Sequence, residues 1–208
     1  MGAGRTSRAG FPAALLVLAA GLLAGCANQQ PTQSGFLSDY RSLRPVDTFG
    51  KILEQRPSPS TLARYSSVYV EPVANRLPAE IAPADAARLA ELTASALKAE
   101  LGKQWTIVSS PGPGAIRVRS ALTAVRKSNP PVNLVLTAVA VPLINGGLSA
   151  EAEFLAGAPP RRIGGISWAD EGRLNPLGYY SELEHPRELT YDFAHAVAGA
   201  LDRPGPRS

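Results

Sequence analysis

Apolar and polar residues alternate along several stretches of this chain, a period of two that is typical of half-buried β-strands. The longest such stretch is 116–124, whose polar side carries Arg117 and Arg119. Another, 148–154, follows an Asn-Gly pair that favours a hairpin turn. The alternation predicts strands over residues 66–73, 105–109, 116–124, 132–141, 148–154 and 161–170, the last one weakened by its glycines.

Apolar positions three or four residues apart predict two helices. The first begins at Pro83, with Asp85 near the positive end of the helix dipole, and ends near Gly102. The second begins near Pro186. Each has one apolar face, formed by Leu89, Leu92, Ala96, Leu97 and Leu101 in the first helix and by Leu189, Phe193, Val197 and Leu201 in the second.

The order of these elements predicts an α+β fold, a largely antiparallel β-sheet with two helices packed on one face. A chain of 208 residues fits a single domain with flexible ends. We place the globular domain at 65–203 and predict that 204–208, rich in proline and glycine, is a disordered tail.

The N-terminus has the layout of a secretory signal peptide, which we assign to 1–25. Arg5 and Arg8 precede an uncharged stretch, 11–23, and small residues follow it. A permanent membrane helix needs about 20 apolar residues, so this stretch is short for an uncleaved anchor. A second apolar stretch, 134–144, is shorter still and contains a proline.

The sequence Leu23-Ala24-Gly25-Cys26 resembles a bacterial lipobox. The resemblance implies cleavage between Gly25 and Cys26, a diacylglyceryl thioether on Cys26, and acylation of the new amine. Several acyl chains anchor a protein stably where one is marginal. Cys26 is the only cysteine, and a buried structural role is disfavoured because it ends an apolar leader. Ala27 rather than Asp follows, which by the same resemblance implies transfer to the outer membrane.

Residues 26–64 are rich in breakers and predict a lipidated N-terminus followed by a surface tether. Within it, Phe36, Tyr40 and Leu43 recur at a spacing that would place them on one face of a helix. Large apolar side chains are unfavourable in a solvated linker, so we expect this segment to pack onto the domain. The alternative is a docking element for a partner.

Three stretches of the chain are "SGFLSDYRSL", "YSSVYVEPV" and "PGPGAIRVRSALTAV". Together they resemble a family of bacterial lipoproteins of unknown function, the DUF3313-like domain, and the matching elements run from about Ser34 to the final helix. The resemblance implies an envelope location and a fold, and it carries no established activity, cofactor or catalytic residue.

The charge of the chain changes when the leader is removed. The net charge is +4 for the whole chain and +2 without the two leader arginines. So small and evenly spread an excess does not argue for nucleic-acid binding, and we expect no nucleic-acid partner.

Glu151 and Glu153 are the best of the poor candidates for catalysis. On one side of a strand they would lie about 6.6–6.8 Å apart along it, near the carboxylate separation of inverting glycosidases. Arg117 and Arg119 have the same spacing, so ion pairs across neighbouring strands on a solvent-exposed face would explain all four charges. We expect the solvent-exposed face, because the pattern is ordinary polar-out alternation.

Other polar motifs are weaker. Ser95 and Lys98 match S-x-x-K, the nucleophile motif of penicillin-interacting enzymes. The K-T-G and S-D-N motifs that accompany it in those enzymes are absent from the sequence. His185 and His195 are the only histidines, and their spacing predicts no metal site. Asp192 lies three residues before His195, which predicts a surface pair.

Trp168, Tyr179 and Tyr180 lie in or near a polar, glycine-containing stretch before the last helix. Aromatic side chains on such a loop can bind a partner, or they can close the edge of the core.

The sequence therefore favours a non-catalytic outer-membrane lipoprotein whose periplasmic domain binds or scaffolds another envelope component. We expect the membrane, through the lipid anchor, and an envelope protein or peptidoglycan as partners, with no metal or other cofactor. The alternative is a small periplasmic hydrolase that uses the carboxylate pair.

Overall fold

The computed structural model describes residues 29–129, 145–172 and 181–203. Several predicted features lie outside the described residues. These are the signal peptide 1–25 with Cys26 and Ala27, the strand 132–141, Tyr179 and Tyr180, and the tail 204–208.

In the described ranges, eight strands form one sheet in the spatial order β1-β2-β8-β7-β6-β3-β5, and β4 pairs beside the end of β6. Their bounds are Arg44–Pro45 (β1), Ile52–Gln55 (β2), Ser67–Val70 (β3), Ala74–Asn75 (β4), Thr106–Ile107 (β5), Ala115–Arg126 (β6), Gly147–Ala156 (β7) and Arg161–Glu171 (β8).

The sheet is largely antiparallel. Its centre is the meander of β6, β7 and β8, and β1 and β2 extend it in the same sense. On the other side β3 lies parallel to both β5 and β6, because α-helical chain separates β3 from them. The predicted α+β single-domain fold is confirmed.

Three helices accompany the sheet in the described chain: α1 at Pro59–Leu62, α2 at Pro83–Leu101 and α3 at Glu184–Ala200. The first long helix begins and ends where predicted, with Pro83 in its first turn and Gly102 as its C-cap. The last helix begins two residues before Pro186. Apart from Leu92, which is only partly buried, the apolar stripes that predicted both long helices face the sheet and form the core.

The core lies between the two long helices and one face of the central strands. Phe154 of β7 and Phe193 of α3 are fully buried there. Trp168 of β8 is 2% exposed, and its ring centroid is 5.7 Å from that of Phe193. Trp168 therefore belongs to the core, and its interpretation as an exposed partner-binding side chain is wrong, since it alternates inward along β8.

The stretch interpreted as a tether is part of the folded domain over its described residues. Ile52–Gln55 pairs with β8, with Ile52 opposite Trp168 and Gln55 opposite Gly165. Further along, Leu62 of α1 is buried in the core. Residues 26–64 are rich in proline and serine, which favours the interpretation as a tether. A strand of four residues also shows little periodicity, so the pattern did not predict these short elements.

The glycines of β8 allow β2 to approach closely. A Cβ at Gly164 would lie 2.5 Å from the carbonyl oxygen of Gln55 and 3.0 Å from Cδ of Pro57. We expect Gly164→Ala to lower the free energy of unfolding by about 1–3 kcal/mol, because backbone must shift to admit the methyl group. Urea unfolding followed by tryptophan fluorescence measures this. Gly112→Ala is the control, since a Cβ there meets nothing within 4 Å.

Candidate functional site

The central strand β7 is buried on both faces, nine of its ten residues being buried. Phe154 and its neighbours in alternation face the helices. The opposite face carries Ser149, Glu151 and Glu153 and is covered by residues 29–43, which we call the strap. The polar face of the sheet is thus an interior surface.

The strap is fixed to the sheet by polar bonds along its length. The strap runs in the same direction as β7. Gln29 contacts Ser149 near the start of β7, and Ser42 contacts Arg162 of β8 near the end of β7. The Ser149 hydroxyl donates to the Gln30 carbonyl and the Ser167 hydroxyl to the Thr32 carbonyl, both at 2.8 Å. The strap therefore lies along the sheet as an ordered layer.

Glu151 is fully buried and accepts four hydrogen bonds from the strap. Its Oε1 accepts from the Thr32 hydroxyl at 2.9 Å and from the Ser34 amide at 3.0 Å. Its Oε2 accepts from the Ser34 hydroxyl at 2.8 Å and from the Tyr40 hydroxyl at 2.7 Å. Four donors fill the acceptor capacity of a carboxylate, so Glu151 acts as a clasp for the strap.

Glu153 is 1% exposed and joins the strap to two arginines. It accepts from the Ser38 amide at 2.9 Å and from the Ser38 hydroxyl. The other contacts are Arg119 Nη1 to Oε2 at 3.1 Å and Arg162 Nε to Oε1 at 3.4 Å. This carboxylate is therefore compensated by two cations beneath the strap.

The expectation that Glu151 and Glu153 lie on a solvent-exposed face is wrong, because the strap covers that face. The expected ion pairs across strands are half right. Arg119 lies opposite Glu153 and pairs with it, whereas Arg117 lies opposite Leu155 and pairs with Glu71 beyond β3.

The described strap contains no helix, so the prediction that Phe36, Tyr40 and Leu43 share a helical face is wrong. The prediction that this segment packs onto the domain is confirmed. Leu43 is buried, the Phe36 ring lies 5.1 Å from the Arg119 guanidinium, and Tyr40 bonds Glu151. Side chains that hold the strap down are committed to the domain itself.

The hydrogen bond between the Tyr40 phenol and Glu151 makes the stability of the domain depend on pH. Burial raises its pKa above the ordinary value of 10.0, and the hydrogen bond to Glu151 raises it further, since an anion already lies there. A raised pKa means that the stabilisation is fully present below pH 10 and is lost as the pH rises through the folded-state pKa.

We therefore expect the difference in stability between the wild type and Tyr40→Phe to shrink between pH 8 and pH 11. At pH 8 the variant lacks the bond to Glu151, and above pH 10 ionisation of Tyr40 stabilises the unfolded wild type but not the variant, so the difference narrows. Thermal unfolding by circular dichroism measures both. Tyr191→Phe, at an exposed position, is the control and should change the stability little at pH 8.

The histidines are structural. His185 is fully buried, and its Nδ1 accepts from the Gly146 amide at 3.0 Å. His195 lies 3.5 Å from Glu100 of α2, so the predicted pairing with Asp192 gives way to a contact between helices. Within the described ranges, no three His, Cys, Asp or Glu side chains converge as a metal site requires.

A cavity of about 380 Å³ lies at the end of the sheet where β6 begins and β7 finishes. Two turns line it, the Pro111–Pro113 stretch and the Ala158–Pro160 stretch, together with Arg117. Neither buried glutamate lines this cavity, and prolines remove the amides that a phosphate cradle would need.

The opposite end of the sheet, where β6 ends at Arg126 and β8 ends at Glu171, is called the Gln29 end. Glu171 contacts several charged and polar groups there. Its Oε1 accepts from the Gln29 amide at 2.6 Å. Arg126 Nη2 lies 3.3 Å and Lys51 Nζ 4.0 Å from the same oxygen. The first described residue of the strap is therefore fixed where β6 and β8 end.

The sequence analysis missed the β1–β2 turn, 46–51, which also lies at the Gln29 end. Phe49 at its tip is 80% exposed and Val46 is 52% exposed. The order Asp-Thr-Phe-Gly is a local signal that could have found it, because Asp favours a turn and Gly50 has a φ of +65°. Phe49 therefore buries little of its surface in the domain and remains accessible to another surface.

No helix in the described part of the chain is long and apolar enough to cross a membrane.

Comparisons with known proteins identify a family. The model of a family described as a protein of unknown function, DUF3313, matches residues 32–175, so the match begins inside the strap. No curated protein matches the chain.

Two solved structures of the PelC dodecamer from Paraburkholderia phytofirmans, one of them a point variant, are similar to the chain. Each is 12% identical with a TM-score of 0.49 and covers 74% of this chain. The match spans 100% of the PelC chain in the variant and 97% in the other structure.

Proposed function

The chain belongs to the DUF3313 family, and we propose that it is a bacterial lipoprotein anchored through Cys26 in the outer membrane. Its periplasmic domain binds or scaffolds another envelope component, a protein or peptidoglycan, without catalysis. The lipobox supports the anchor, and Ala27 after the cysteine supports the outer membrane.

One observation carries the non-catalytic part of the proposal, the full burial of Glu151 beneath the strap. A carboxylate that acts as acid, base or nucleophile must reach a substrate. Here all four acceptor positions of the side chain are taken by strap donors. Glu153 is likewise held by Ser38 and Arg119, so this carboxylate pair supports a structural role and not a hydrolase.

The anchor is tested by Cys26→Ser. We expect the variant to lose incorporation of labelled fatty acid and to accumulate as an uncleaved precursor, because the thiol is the acceptor of the first lipid. Intact mass and labelling measure both. Ala27→Ser is the matched control and should be labelled like the wild type. Continued labelling of Cys26→Ser would refute the lipobox assignment.

The binding role is tested by crosslinking in the intact envelope followed by mass spectrometry. We expect a protein or a peptidoglycan fragment to be recovered with the wild type and depleted with Cys26→Ser, which keeps its leader and lacks the lipid anchor of the mature protein. Recovery of no partner would contradict a binding or scaffolding role, whatever the outcome of lipid labelling.

A further inference from the structure

The Gln29 end of the sheet is the end nearest the proposed lipid anchor. Taking the acylation of Cys26 from the proposed function, we infer that this end faces the bilayer and that the β1–β2 turn contacts the lipid, with Phe49 in the membrane interface. The surface is the turn 46–51 together with the neighbouring ends of β6 and β8, and its partner is the lipid surface itself.

Chain length sets how far this end can lie from the anchor. Three residue steps separate Cys26 from Gln29. A fully extended chain spans at most about 3.6 Å per residue, so the Gln29 Cα lies within roughly 11 Å of the lipidated residue. Gln29 cannot drift from the sheet while its amide bonds Glu171 and its side chain donates to Ser149 at 2.8 Å.

The β1–β2 turn shares this end through a direct chain of contacts. Lys51, at the foot of the turn, lies 3.4 Å from Asp170 and 4.0 Å from the Glu171 oxygen that Gln29 also contacts. At the other end of β6, Ala115 is eleven residues from Arg126, which is about 35 Å along the strand. The turn is therefore near the anchor, whereas the cavity at the other end points away from the membrane.

The apolar side chains of the turn are held outward by a rigid backbone. The Asp47 carboxylate accepts from the Ile52 amide at 2.7 Å and from the Phe49 amide at 3.0 Å. Burial raises the pKa of Asp47, but these backbone bonds outweigh it and hold the pKa below its ordinary value. Phe49 is thus presented at the tip by a backbone that has little conformational entropy left to lose on contact.

Charge at the Gln29 end does not favour attraction to anionic lipid. Lys51 pairs with Asp170, Arg126 with Glu171, and Lys127 with Glu182. A surface balanced in this way contacts a bilayer through its apolar tip, and aromatic side chains favour the interface region. The contact should therefore resist salt, unlike the contact of a polybasic segment.

The inference is tested with acylated protein from cells, reconstituted in phosphatidylethanolamine and phosphatidylglycerol vesicles. Once Cys26 is a thioether, an introduced cysteine is the only thiol. An environment-sensitive fluorophore is placed at Thr48→Cys in the turn, or at Gly112→Cys in the exposed far turn as the matched control. Lipids with a nitroxide near the headgroup then quench any fluorophore in the interface.

We expect quenching at position 48 to exceed that at position 112 at least about twofold, to persist in high salt, and to fall when Phe49→Ser is added. Equal quenching at the two positions, or quenching that ignores Phe49→Ser, would overturn the orientation and leave the anchor intact. Intact mass is measured first, because a protein without lipid would overturn the proposed function and this inference with it.

Discussion

Glu153→Ala should destabilise the domain by about 3–5 kcal/mol, among the largest effects expected of any single substitution in this chain. The side chain is 1% exposed and faces two guanidinium groups. Arg162 has a side chain only 14% exposed, so removing the carboxylate leaves a buried cation without its anion. Urea unfolding of the mature chain carrying Cys26→Ser, followed by tryptophan fluorescence, gives the free energy.

Two further variants separate lost charge compensation from lost packing. Glu91→Ala, at an exposed position on α2, should change stability by less than about 0.5 kcal/mol. Arg162→Met added to Glu153→Ala should recover part of the loss, because the unpaired cation is gone. If the double variant were as unstable as the sum of Glu153→Ala and Arg162→Met measured alone, the ion pair would not be what holds this site together.

Glu151→Gln should lower stability by about 2–3 kcal/mol and release the strap before the rest of the domain. An amide keeps the shape of the carboxylate but offers one acceptor atom and a donor group where four donors converge. The two strap donors nearest the amide nitrogen would then lose their acceptor, and a hydroxyl there could bond the amide only by turning to accept from it. Unfolding of the same mature chain measures the loss of stability.

Release of the strap is measured separately by limited proteolysis and mass spectrometry. Cleavage within 29–43 should appear at protease concentrations that leave the wild type intact, since a detached strap is extended chain. Glu91→Gln makes the same chemical change at an exposed position and should be cleaved like the wild type. A strap that stays protected in Glu151→Gln would show that its other contacts with the sheet are enough to hold it.

The regular elements were predictable because their signals are local. Pro83, the stripe from Leu89 to Leu101, and Gly102 are enough to place α2, and the alternation of β6, β7 and β8 is enough to place those strands. The parallel pairing of β3 with β6 was less accessible, since it depends on which strands meet and not on the residues of either.

Glu151 and Glu153 were predicted to be exposed because periodicity does not show whether a polar face of a sheet is covered. Alternation shows that Glu151 and Glu153 share a face of β7 but not what covers that face. A charged residue is usually exposed, and only the partners in the strap make burial tolerable here. The serines, threonine and tyrosine that supply the donors lie in a stretch whose composition alone resembles a linker.

The strap also sets an order of assembly. Its residues meet partners 91 to 142 positions later in the chain, so it cannot close until β7 and β8 have formed. Contacts of such separation are slow, because a long loop must be closed before they are made. With the proposed acylation of Cys26, closure of the strap is also the step that brings Gln29, and with it the folded domain, close to the anchor.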